Sequence, residues 1–271
     1  MMQVINNAMG MALGPGTIRR MYNAEAEGIL TLAKAHAEAM EIEGRARMRV
    51  EHEQVRQQLN MEVVTECALT HIKDDAKPEE VEEDWITKFF QYARDVSNAE
   101  MREMWARVLA GEMNKPGSFS RRVLNILSLI DKKQAEAFNA VCRFRIQGES
   151  DSGWIVINNC LEPIYRNAGV TFESLEELDS LALINFSPLS TFLLETLPER
   201  TGAHYGRTFF SISSRTGAEA QLYLGSVKLT RVGEEIRKIC EAKEVDGFVA
   251  YLAQYWGKLG LDLQIISEGA K

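Results

Sequence analysis

Ser118, Ser120, Arg121 and Arg122 follow a Pro116-Gly117 turn at the start of an apolar run. Hydroxyls and guanidinium groups in that position suit anion binding, because free backbone amides and cationic side chains converge at a helix start. A structural reading competes: Ser118 caps the helix and Phe119 staples it to the core. No G-K-[ST] follows a glycine-rich run, so the turn is not a P-loop. A second basic set, Arg207, Arg215, Lys228 and Arg231, brackets two strand-like segments and offers phosphate contacts to a nucleic acid. Glu173, Glu176, Glu177 and Asp179 on a neighbouring helix, and a formal charge of -8, oppose that attraction. Nucleic acid is therefore a disfavoured partner rather than an excluded one.

Other chemistries leave no signature. There is no G-x-S-x-G, no H-E-x-x-H and no glycine-rich nucleotide fingerprint, so no catalytic residue is assigned. Cys67, Cys142, Cys160 and Cys240 lie far apart, and His36, His52, His71 and His204 are scattered. Neither set has the spacing of metal ligands, and neither a metal nor a cofactor is expected. The cysteines read as small buried hydrophobes in a reducing compartment, which points to the cytoplasm. No apolar stretch approaches the roughly 18–20 residues of a membrane helix, and residues 1–16 lack the basic leader of a signal peptide. Val4, Ile5, Met9, Met11 and Leu13 could still touch a membrane surface, against the plainer reading of a frayed or self-associating terminus.

The elements that would carry these residues begin with a long helix. From Thr17 to about Ile72 there is no proline, and Ala, Glu, Arg, Met and Gln dominate. Along it Ile18, Tyr22, Ala26, Ile29, Ala33, Ala37, Met40, Gly44, Met48, Glu51, Val55 and Leu59 repeat in steps of four, four and three, with only Glu51 breaking the apolar or small pattern. Eleven residues in three turns is about 3.67 per turn, so the stripe stays on one face over many turns. Small-residue stripes of this length need a facing helix. Ile18, Tyr22, Ala26, Ile29, Ala33, Ala37, Met40, Met48, Val55 and Leu59 are therefore read as the oligomerisation seam of a homo-oligomer, against the alternative of a helix lying across its own C-terminal bulk with the stripe packed internally. Flanking charges are balanced, with pairs four apart such as Glu41 with Arg45 and Glu43 with Arg47.

Next, Pro78-Glu79-Glu80 suits a helix first turn, and Trp85, Phe89, Tyr92 and Val96 recur at helical spacing. Asn98 caps a helix bearing Met101, Trp105, Val108 and Leu109, which Gly111 is placed to end. The run Asp84-Trp85 to Phe89-Phe90, the stretch Glu100-Met101-x-x-Met104-Trp105-Ala106-x-x-Leu109-Ala110-Gly111-Glu112, and Pro116-Gly117-Ser118-Phe119-Ser120-x-Arg122 together resemble the bacterial family called domain of unknown function 2806. The likeness extends back to Arg19-Arg20 and forward to Leu175–Ile184, most of the chain, and implies no activity. The order E-M-W-A-x-x-L-A, short loop, apolar helix to Leu129, then Asp131 to Ala135 resembles the abortive-infection alpha family of phage-defence proteins. That resemblance implies a role in antiviral defence.

After a Gly/Ser/Asp-rich linker at 147–153, Trp154–Ile157 is predicted as a strand and 174–183 as a helix. Strands at Tyr205–Ser213 and Ala220–Leu229 are predicted to pair as a hairpin through 214–217, with Thr230 capping a helix over Arg231–Ala242. Helix, leucine-ended turn, hairpin and K-L-T-R-V-G-E-E-I resemble part of a winged-helix domain, which implies either DNA or protein binding. The expected fold is mainly α: a long N-terminal helix (1–72), a central helical bundle (73–146) and a C-terminal α+β winged-helix-like domain (147–271). The expected function is a non-catalytic oligomeric scaffold or sensor in phage defence, contacting itself and a second protein. The alternative is a winged-helix transcriptional regulator.

Overall fold

A computed structural model describes residues 15–148, 153–197, 200–216 and 220–268. The N-terminal apolar residues Val4, Ile5, Met9, Met11 and Leu13 lie outside the described residues. The chain divides by its contacts into two units, Met1–Gln58 and Leu59–Lys271. The central helices and the C-terminal block, expected as separate domains, both fall within the second unit.

Helix α1 runs over Pro15–Leu69, as the absence of proline after Pro15 and the helix-forming composition require. Its last turns belong to the second unit, where Asn60, Val64 and Ala68 are buried. Asn60 Nδ2 donates to the Arg94 carbonyl at 2.8 Å, and its Oδ1 accepts from Arg102. Helices α2 (Glu83–Ala93), α3 (Ala99–Asn114), α4 (Arg121–Leu127) and α5 (Lys132–Cys142) follow. Trp85, Phe89 and Trp105 pack ring to ring among them, and the Trp85 indole donates to the Phe119 carbonyl at 2.8 Å. Asn98 caps α3 as its side chain predicts, and Asp131 closes a capping box with Gln134 on α5. Gly111 does not end α3. A methyl there would stand 2.6 Å from Phe119 Cε2, so its missing side chain is the space into which Phe119 packs.

The expectation of a mainly α chain is corrected by the second unit's strands. Of the described residues 55% are helical and 18% strand, which makes the fold mixed α+β. Strands β1 (Arg145–Gly148), β2 (Gly153–Ile155), β5 (Arg200–Tyr205), β6 (Thr208–Ser214) and β9 (Leu261–Glu268) form an antiparallel sheet in the order β2-β1-β5-β6-β9. Strands β3 (Ile184–Phe186) and β8 (Val227–Leu229) pair, as do β4 (Phe192–Leu197) and β7 (Ala220–Gly225). The predicted hairpin between 205–213 and 220–229 does not form. The first segment is an inner strand held by β5 and β9, and the second pairs with β4 and β3. With its wing dispersed over three sheets, the winged-helix domain is corrected to an α+β layer.

The physical reason lies in strands with little pattern of their own. Arg200-Thr-Gly-Ala-His-Tyr205 alternates poorly, yet Gly206 at φ 56° turns the chain into β6 and sets Tyr205 opposite Thr208. Helices α6 (Pro163–Arg166), α7 (Phe172–Ser180), α8 (Arg231–Arg237) and α9 (Phe248–Lys258) complete the unit. Thr230 caps α8, its Oγ1 accepting from Gly233 N at 3.0 Å. Phe144, Tyr165, Tyr205 and Phe248 cluster edge to face and join α5, the sheet and α9 in one core.

Candidate functional site

The seam lies on α1. Every described residue from Arg19 to His52 is exposed, as are Val55 and Leu59, and the Ile18 side chain lies outside the described residues. Tyr22 is 69% and Met40 70% exposed, values at which a tyrosine and a methionine contribute nothing to a core. The predicted Glu41–Arg45 pair is formed at 2.7 Å between exposed side chains, worth about 0.3–0.5 kcal/mol. Periodicity along one stripe missed a second cluster, Met21, Leu32 and Val50, also exposed. At about 100° per residue these lie within about 20° of one another, about 115° around the helix from the seam. Counting exposed large hydrophobics in each angular sector would have found them.

The Pro116–Arg122 turn is already filled by the chain's own carboxylates. Glu112, 3% exposed, accepts from the Gly117 amide at 2.6 Å and the Phe119 amide at 2.8 Å. Glu235 accepts from the Ser120 amide at 2.7 Å, and Lys238 donates to the Ser118 carbonyl at 3.1 Å. Ser120, not Ser118, occupies the N-cap position of α4, and its side chain makes no cap bond. Arg121 bonds to Glu82 at 3.1 Å and Asp84 at 3.2 Å, while Arg122 is exposed. The amides are already satisfied, and the carboxylates that satisfy them repel a further anion.

The four C-terminal cations separate into three places. Arg207 and Arg215 flank opposite ends of β6, about 26 Å apart at about 3.3 Å per residue. Lys228 and Arg231 line one cavity of about 460 Å³ together with Arg145, Trp154, Phe192 and Glu234. Sequence reasoning missed Arg145 and Trp154, which reach the cavity through the β1–β2 pairing of Ile146 with Trp154. A single DNA-facing wing carrying all four cations is not what the strands build.

A second cavity, about 550 Å³, lies along α3 and α5 and is lined by Met104, Arg107, Lys132, Asn139 and Cys240 among others. At its rim Glu103 accepts from His71 Nε2 and from Arg107 Nε, each at 2.8 Å, and Arg107 also reaches Glu241. The hydrogen bond from Arg107 holds the Glu103 carboxyl below its usual range. Burial, with the neighbouring Cys240 thiol, pushes the Cys142 thiol well above its ordinary value. Among the described residues, no group of three His, Cys, Asp or Glu side chains is placed to hold a metal ion.

Residues 44–253 match the family described as protein of unknown function (DUF2806). The chain belongs to the DUF2806 family. No curated protein and no solved structure matches it. The DUF2806 match takes in both cavities, the Pro116–Arg122 turn and the seam from Gly44 onward, whereas the Arg19-Arg20 start and the seam from Ile18 to Met40 precede it. No helix among the described residues of this DUF2806 chain is long and apolar enough to cross a membrane.

Proposed function

We propose that this chain is a non-catalytic, oligomeric scaffold or sensor of the bacterial cytosol, acting through protein–protein contact in antiviral defence. The observation that carries the reading is the seam: an eleven-residue apolar repeat on one continuous helix, with Tyr22, Ile29, Met40, Met48, Val55 and Leu59 all more than half exposed in the single chain. Contiguous apolar surface of this extent marks an interaction site, since covering it gains about 25 cal/mol per Å². The occupant is a second copy. The flanks carry acidic and basic residues in balance, in blocks such as Glu41-x-Glu43 and Arg45-x-Arg47-x-Arg49, so an identical helix can set a Glu block against an Arg block. The antiviral part rests on the resemblance of the E-M-W-A-x-x-L-A stretch to the abortive-infection alpha family.

Light scattering on the full chain tests the assembly. The expected mass is two or more times that of the chain. Ile29→Glu, Met40→Glu and Met48→Glu together lower it to that of one chain, with the helical circular dichroism unchanged because these side chains are exposed. A monomeric parent, or a triple variant that keeps the parent's mass, overturns the reading. Plaque counts on cells expressing parent and variant test the defence role. It is sunk by equal plaque numbers with and without the parent protein.

A further inference from the structure

We propose that the cavity between β1–β2, β4, β8 and the start of α8 binds an aromatic organic anion of about mononucleotide size. Its volume of about 460 Å³ lies within the range of small-molecule sites, about 300–1,000 Å³, and its wall is largely apolar, with Trp154, Phe192 and Leu194 facing it. Onto this wall converge three cations, Arg145, Lys228 and Arg231, in a chain whose net charge is -8. The one carboxylate among the lining residues, Glu234, is engaged by Arg237 Nε at 3.1 Å, and Arg231 Nε lies 3.5 Å from Glu235 just outside the lining. The lining itself carries three cations to one carboxylate, opposite in sign to the whole protein, and a low-dielectric wall strengthens their pull on an anion.

The arrangement is built rather than incidental. The Arg145 guanidinium lies against the backbone of Gly153 so closely that a methyl on Gly153 would stand 2.0 Å from its Cζ. Its Nη1 reaches Gln147 Oε1 at 3.4 Å, which steadies the head group beside the cavity. Lys228 is held between the buried Val227 and Leu229 on β8, and that strand is fixed by its pairing with β3. The aromatic part follows from Trp154 and Phe192, flat faces on which a ring stacks, and the anionic part from the guanidinium and ammonium groups beside them. The inference concerns the second unit alone and stands whether or not the seam self-associates.

The probe is 8-anilinonaphthalene-1-sulfonate, an aromatic anion that fluoresces in apolar surroundings, titrated into the full-length protein. Saturable binding at one site per chain is expected. Lys228→Glu with Arg231→Glu should weaken it at least tenfold, and Gly153→Ala severalfold, by displacing Arg145. Arg207→Glu with Arg215→Glu changes the net charge equally but lies away from the cavity, so binding there should match the parent. Lys228→Glu alone, at an exposed residue, leaves the melting temperature unchanged and should still weaken binding severalfold, which separates lost binding from lost folding. Displacement of the dye by adenosine monophosphate supports a phosphate head group, and by 1-naphthoate a carboxylate. Unaltered binding in Lys228→Glu/Arg231→Glu, an equal loss in the control pair, or displacement by neither competitor overturns the proposal.

Discussion

Replacing Glu112 by alanine tests how the turn before α4 is held. The carboxylate is 3% exposed and accepts two backbone amides, Gly117 at 2.6 Å and Phe119 at 2.8 Å. Hydrogen bonds to a charged acceptor are worth about 1.5–3 kcal/mol each, and a buried amide left without an acceptor costs about 1–3 kcal/mol. Two such bonds give a gross loss of about 3–6 kcal/mol. Relief from burying a carboxylate returns part of it, so a net loss of about 3 kcal/mol is expected. In a domain of about 200 residues that lowers the melting temperature by about 6–12 °C. Urea unfolding followed by tryptophan emission is the assay, because Trp85 donates to the Phe119 carbonyl and reports on the turn directly. Glu82→Gln is the reference: Glu82 is 74% exposed, and losing its contact with Arg121 should cost under about 0.5 kcal/mol. A Glu112→Ala protein within about 1 kcal/mol of the parent would refute the reasoning, because the amides would then have found another acceptor.

Gly111→Ala gains about 1 kcal/mol of helix propensity but forces Phe119 away from a 2.6 Å contact, an overpacking cost of about 1–3 kcal/mol. A net loss of about 1 kcal/mol is expected in thermal unfolding, and a gain would show that the ring swings aside freely. Glu103, whose folded value is depressed chiefly by the Arg107 hydrogen bond, contributes stability that is fully present above its unfolded value of about 4.3 and lost as pH falls through the folded one. The urea-midpoint gap between parent and Glu103→Gln should therefore be larger at pH 7 than at pH 3, and an equal gap at both would rule out the linkage. Cys142, buried and with its thiol pushed upward, should resist iodoacetamide at pH 8 in the native protein and label in urea, as read by peptide mass spectrometry. Native labelling as fast as at half-buried Cys67 would show that the end of α5 opens.

The helical half of the fold was legible because helix signals are local. Thr230, Asn98 and Asp131 cap helices whose first free amides lie within three residues, so their effect can be read from a short window. Strand pairing is not local. Nothing near Tyr205–Ser213 says that its partners are Arg200–Tyr205 and the distant Leu261–Glu268, rather than the apolar stretch that comes next. That stretch, 220–229, is split by Gly225 and Ser226 into β7 and β8, and two short strands upstream claim the halves.

The same distinction sorts the candidate sites. The seam needs only a repeat along one helix, and its exposure follows from α1 being a single element. The Pro116–Arg122 turn offers amides that suit either an anion or a structural cap, and Glu112 and Glu235 answer them from five and more than a hundred residues away. A turn motif states what donors exist and is silent about which acceptors the fold brings. The cavity is the converse case: Arg145, Trp154, Lys228 and Arg231 carry no shared spacing, and only the β1–β2 register and the β3–β8 pair set them around one space. Charge sorted by sequence puts all four cations around one predicted hairpin. Charge sorted by strand order leaves Arg207 and Arg215 at the ends of an inner strand and gathers the other two against an apolar wall, and of these two placements it is the second that has the shape to hold a ligand.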